Sequence, residues 1–129
     1  DNAEGGKRER GLITVLNHVS GLDDPCVLAA VLPPEVIADL DGLRWTLCAT
    51  DRCFRSRFWA HVFPHVKVIP VVRGAGIDQP LMDVAVDLLS RGEWLNVFPE
   101  GTRSQDGSLR VFRAGVGRLV ADAVPSPYV

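Results

Sequence analysis

The chain has 129 residues, 47% of them apolar and 23% charged, with a formal net charge of −2. One domain of this length can bury roughly two-thirds of its unfolded surface, and the balance of apolar and charged residues excludes a disordered chain. The small negative charge argues against a nucleic-acid binder held by bulk electrostatics, although Lys7, Arg8 and Arg10, and Arg52, Arg55 and Arg57, leave local basic clusters suited to anionic ligands or lipid headgroups.

Asp1–Arg10 is polar and glycine-containing and reads as a loop or frayed end. Leu12–Leu16 is a continuous apolar run, the pattern of a strand covered on both faces. Asp24 before Pro25 joins a carboxylate cap to a proline at the first helical position, opening a helix over Cys26–Leu32 that Pro33-Pro34 ends. A short helical stretch over Glu35–Leu40 precedes the Asp41-Gly42 turn, and Leu43–Ala49 reads as a second strand. Asp51–Val62 has helical spacing, with Phe54, Phe58 and Val62 on one stripe, and ends at Pro64. Lys67–Val72 is a third strand in which Pro70 marks a bulge or a locally unpaired edge. Gln79–Arg91 is a helix with Pro80 near its start and Gly92 as its stop. Trp94–Phe98 is a fourth strand, Val111–Ala121 a last helix, and Tyr128-Val129 the opening of a further strand.

A strand followed by a helix, repeated four times, predicts an α/β fold with a mostly parallel central sheet flanked by helices. Residues 1–129 read as a single domain within a longer protein, since the chain starts at Asp and stops inside a strand-like run. No apolar run reaches the roughly 18 residues of a membrane span. The three cysteines lack metal or redox spacing; Cys26 and Cys48 read as small buried hydrophobes, which points to a reducing compartment.

Three motifs fall where an expected strand gives way to a loop: Asn17-His18-Val19-Ser20-Gly21-Leu22-Asp23, Arg73-Gly74, and Phe98-Pro99-Glu100-Gly101-Thr102-Arg103. In a parallel sheet all three gather on the carboxyl edge, where open α/β sheets bind ligands. A tight turn can fold the Asp23 carboxylate against the His18 ring, fixing its tautomer and leaving the other nitrogen free to accept a proton. The alternative is that Asp23 and Asp24 both cap the following helix and His18 only hydrogen-bonds in a turn. No Ser or Cys nucleophile stands out, Ser20 being as good a turn residue, so a base here would act directly on a substrate hydroxyl. Arg103, beside the permissive Gly101, offers a fork for phosphate, and Arg73-Gly74 offers the same pairing nearby. Taken singly, each is an ordinary solvated loop arginine. His61 and His65 are four residues apart, but Pro64 interrupts their helix and no metal site is expected. The arginines and aromatics of Arg52–Phe63 fit a core helix with a basic face better than a membrane-interface helix.

Asn17–Asp23 together with Phe98–Arg103 resembles the glycerolipid acyltransferase family of the 1-acylglycerol-3-phosphate type, and Val68–Gly74 is similar to that family's second block. Asp23-Asp24-Pro25, Leu43-Arg44-Trp45-Thr46 and Ala49–Phe54 look most like its tafazzin branch, plant type. The resemblance implies an acyltransferase-type fold, with a further block beginning near Pro125–Val129. It implies that His18 is the catalytic base and Asp23 its partner, while Arg73, Gly74, Glu100, Gly101, Thr102 and Arg103 bind the phosphate and glycerol of the substrate. The implied function is a lysophospholipid O-acyltransferase or transacylase in phospholipid and cardiolipin remodelling, with no cofactor and no metal. The implied partners are a lysophospholipid, an acyl donor (acyl-CoA or a phospholipid) and a membrane surface, not nucleic acid. The implied location is intracellular membranes, mitochondrial for a tafazzin-like protein. Gly101-Thr102-Arg103 is the general acyltransferase ending, whereas animal tafazzins carry other residues after the glycine. An acyl-CoA-dependent 1-acylglycerol-3-phosphate acyltransferase therefore stays open, as does a catalytically silent lipid-binding module.

Overall fold

Leu12–Val15 (β1), Trp45–Ala49 (β2), Val68–Val71 (β3) and Trp94–Val97 (β4) form one sheet in the order β1-β4-β2-β3. Every pairing is parallel, as the alternation of strands and helices predicts. The computed structural model describes residues 8–19, 33–35, 42–62, 65 and 67–129. Asp23 and the helix expected over Cys26–Leu32 lie outside the described residues, as does most of the stretch expected over Glu35–Leu40. The helices among the described residues are Thr50–Cys53 (α1), Arg57–Val62 (α2), Pro80–Ser90 (α3) and Gly115–Asp122 (α4). None is long and apolar enough to cross a membrane.

β4 lies between β1 and β2 and all four of its residues are buried, which explains its unbroken apolar and aromatic character apart from Asn96. Ile13, Leu89, Leu95 and Leu119 are fully buried where β1 and β4 meet α3 and α4. Asn96 is satisfied by its register partner: Thr14 Oγ1 donates to Asn96 Oδ1 at 2.8 Å, and Trp94 Nε1 donates to Thr14 Oγ1 at 3.0 Å. β3 is an edge strand among the described residues, which is where a proline such as Pro70 is tolerated. On the far side of β1, Tyr128 forms a parallel bridge with Leu12, in keeping with its strand-like sequence.

The boundaries of α3 follow its punctuation: Pro80 opens the first turn, and Gly92 follows the Arg91 cap with φ +84°. A Cβ at Gly92 would sit 2.0 Å from the Arg8 carbonyl oxygen, so close approach as well as the backbone angle requires glycine. Arg118 of α4 ties this layer together, its guanidinium pairing with Asp83 of α3, with Asp122, and with Asp78 at 3.7 Å. The hydrogen bond to Asp122, followed by that to Asp83, holds its pKa above the ordinary arginine value.

Three expectations are corrected. The single helix over Asp51–Val62 is two pieces, α1 and α2, separated by residues 54–56, and Phe58 is 66% exposed rather than part of a core stripe. Cys48, expected as a small buried hydrophobe, is half-buried and bonded to Cys53, which links the one-turn α1 to the end of β2. The last helix begins at Gly115 instead of Val111; the residues before it run as a loop against the chain that leaves β4, the Arg113 N–H donating to the Pro99 carbonyl at 2.8 Å and the Arg110 N–H to Glu100 Oε2 at 3.1 Å.

Candidate active site

Since the strands are parallel, the loops after β1, β2, β3 and β4 leave the sheet at one edge. They enclose an open cleft of about 1390 Å³. His18, Arg73, Gly74, Gly101, Thr102 and Arg103 all line it. Residues 18, 73 and 103, far apart in sequence, thus share one cavity at the sheet's carboxyl end.

His18 is placed by its own backbone. Its N–H donates to Glu100 Oε1 at 3.0 Å, and its carbonyl accepts from the Ser104 N–H at 2.7 Å. The imidazole stacks on Phe98, ring centres 4.3 Å apart. The loop after β1 is therefore stitched to the loop after β4 at the residue expected to be the base. The location of Asp23 relative to this ring falls outside the described residues.

Glu100, grouped by resemblance with the substrate-binding residues, is only 2% exposed. Its two carboxylate oxygens accept from two backbone N–H groups, those of His18 and Arg110. Its carbonyl accepts from Arg113 Nε at 3.3 Å. A buried carboxylate satisfied by N–H donors is a strong brace, since bonds to a charged acceptor are about twice as strong as neutral ones. Gly101 turns the chain with φ +63°, and a Cβ there would lie 2.6 Å from Arg113 Nε. The same loop is closed further on by Asp106, whose Oδ1 accepts from the hydroxyl and N–H of Ser108 and from the Ser104 hydroxyl. These bonds, the Ser108 hydroxyl foremost, hold the Asp106 carboxyl well below the usual carboxylate range.

The cleft is cationic in a chain of net negative charge. Arg44, Arg52 and Arg113 line it besides Arg73 and Arg103, and no carboxylate among the described residues does. Arg73 also pairs with Asp51 of α1 at 3.6 Å, so part of its charge is balanced. Apolar side chains, among them Val71, Val72, Ile77 and Val116, alternate with these charges. Such a cavity suits a ligand with an anionic head and an apolar body. Among the described residues no group of three His, Cys, Asp or Glu side chains could hold a metal ion.

Sequence reasoning did not single out Arg113, Asp51 or Ser104. Arg113 falls in a stretch whose spacing predicts a helix, and its long-range bonds to Pro99 and Glu100 bring it to the cleft. Asp51 carries a local signal, standing two residues after β2 on the edge that holds Arg73.

A family model described as Acyltransferase matches residues 1–129. A Dictyostelium discoideum protein named "Taffazin" is 45% identical over 114 residues, covering 88% of this chain and 40% of its own length. A Drosophila melanogaster Tafazzin is 35% identical over 125 residues, 95% of this chain and 33% of its own. An Arabidopsis thaliana N-acylphosphatidylethanolamine synthase is 40% identical over 119 residues, 92% of this chain and 42% of its own. The chain thus spans about two-fifths of the length of these relatives or less. With its whole length matched by the family model and tafazzins among its relatives, the chain belongs to the acyltransferase family.

Proposed function

We propose that the protein transfers a fatty acyl group to the free glycerol hydroxyl of a lysophospholipid, as a phospholipid acyltransferase or transacylase of the tafazzin kind. The observation that carries this reading is the cleft in which a backbone-anchored histidine shares one cavity with five arginines and apolar side chains. Arg103 and Arg73 bind the phosphate of the acceptor, and that binding energy presents the glycerol hydroxyl to His18. His18 removes the hydroxyl proton as the oxygen attacks the acyl carbonyl. The tetrahedral adduct then collapses, the bond to the donor's thiol or alcohol breaks, and the imidazolium returns its proton to that leaving group. Asp23 orients the imidazole and stabilises its charged form. No metal or cofactor takes part. The setting for this chemistry is a membrane surface, mitochondrial in the tafazzin-like case, and cardiolipin remodelling is the process it would serve.

The donor is decided by giving the full-length protein a lysophospholipid with labelled acyl-CoA in one reaction and labelled phospholipid in a second. Label is expected to move from phospholipid to the acceptor. Movement from acyl-CoA alone would replace the transacylase with an acyl-CoA-dependent enzyme. Tight lysolipid binding without product from either donor would make the protein a silent lipid-binding module and overturn the reading.

The Arabidopsis relative supports one further arm of that experiment, because its name describes acylation at nitrogen. A phosphatidylethanolamine acceptor tests it: an alkali-resistant amide product would move the accepting atom from oxygen to nitrogen.

A further inference from the structure

Among the described residues, 109–113, Leu-Arg-Val-Phe-Arg, carry the densest run of exposed apolar side chains beside the cleft: Leu109 is 71%, Val111 89% and Phe112 59% exposed. Two exposed arginines, Arg110 and Arg113, alternate with them, and no carboxylate occurs between Gly107 and Gly117. The loop is tied to the chain leaving β4 at two backbone points, the Arg110 N–H donating to Glu100 Oε2 at 3.1 Å and the Arg113 N–H to the Pro99 carbonyl at 2.8 Å. It also adjoins the cavity, because Arg113 lines the cleft and Glu100 holds Arg110 and His18 on its two oxygens.

Three large apolar side chains exposed within five residues are costly in water and mark a contact surface. A protein partner would be expected to supply carboxylates to both arginines. A bilayer supplies phosphates to the arginines and acyl chains to the apolar tips at once, which is the division between polar and apolar found at an interfacial membrane site. We propose that the loop of residues 109–113 docks the protein on an anionic phospholipid bilayer, with Leu109, Val111 and Phe112 entering the interface and Arg110 and Arg113 meeting lipid phosphates. The inference deepens the lipid-acceptor reading and rests on it only for the purpose of docking, which is to bring the cleft to the lipid. One buried carboxylate, Glu100, then fixes the height of His18 above the docked loop.

The test uses the full-length protein carrying Phe112→Trp, compared with the unsubstituted protein, and phosphatidylcholine vesicles with or without phosphatidylglycerol. The introduced indole is expected to shift its emission to the blue and to be quenched by brominated lipid when phosphatidylglycerol is present. Val111→Asp with Phe112→Asp is expected to lower vesicle affinity at least tenfold, whereas Phe58→Asp on α2, equally exposed, leaves it unchanged. Transfer to a short-chain, water-dispersed lysophospholipid is expected to be unaffected by the double substitution. An indole that stays solvent-like on vesicles overturns the proposal. So does one already shielded from aqueous quencher without vesicles, which would mean that another part of the protein or a second copy covers the loop. Equal losses from the loop and Phe58 substitutions also overturn it. Vesicle docking by the loop in a protein that transfers no acyl group supports the docking surface and sinks the transfer reading separately.

Discussion

Replacing His18 with alanine is expected to lower the turnover of acyl transfer by about 10²–10⁴-fold, the usual contribution of a positioned general base. The KM for the lysophospholipid should hardly change, because the proposed phosphate ligands are arginines from other loops. The loop itself should stay in place. Its bonds to Glu100 and Ser104 come from the His18 backbone, which alanine retains, so the variant loses the ring and its stacking on Phe98 but keeps the stitch between the two loops. A steady-state comparison in the full-length protein reads this directly as a fall in kcat at near-constant KM.

Glu100→Ala is expected to damage both stability and activity. The substitution strands two backbone N–H groups, those of His18 and Arg110, beside a position that is 2% exposed, where water cannot easily replace the lost acceptor. Two bonds to a charged acceptor amount to about 3–5 kcal/mol, or roughly 10 °C or more in the thermal midpoint of a domain this size. Freed from its brace, His18 should drift by the order of an ångström, and misplacement on that scale can cost roughly 100-fold in rate. Glu100→Gln keeps one acceptor oxygen but turns an amide donor toward the other N–H, so it should recover less than half of the lost stability. Calorimetry alongside the transfer assay checks both parts. A Glu100→Ala protein with an unchanged midpoint and a raised KM alone would make Glu100 a substrate ligand instead of a brace.

How far the sequence anticipated this molecule depends on whether a feature is set locally. The limits of α3 were readable to within a residue because Pro80 and Gly92 act through their own backbone angles. The parallel sheet followed from the alternation of elements, and with it the meeting of the His18, Arg73 and Arg103 loops at one edge. The losses came where the outcome depends on contacts distant in sequence. Residues 111–113 have helix-compatible spacing, yet the Arg113 N–H goes to Pro99 and the Arg110 N–H to Glu100. Spacing along the chain holds no record of such partners. Periodicity places Phe58 in the core, but that helix breaks at residues 54–56 and leaves the ring exposed. Glu100 shows the same limit within the site: its motif groups it with ligand-binding residues, and only the structure reveals that both its oxygens are engaged by the protein's own main chain.

The proposed chemistry needs a base and a phosphate-binding group serving the same bound molecule. Its most direct test is kcat/KM for the unsubstituted, His18→Ala and Arg103→Ala proteins with two acceptors, lysophosphatidate and the phosphate-free monoacylglycerol. Arg103→Ala should cost roughly 10–100-fold with lysophosphatidate, the worth of one charge-assisted contact, and almost nothing with monoacylglycerol, while His18→Ala should cost the same large factor with both. Equal losses with both acceptors from Arg103→Ala, or near-normal rates from His18→Ala, would contradict it.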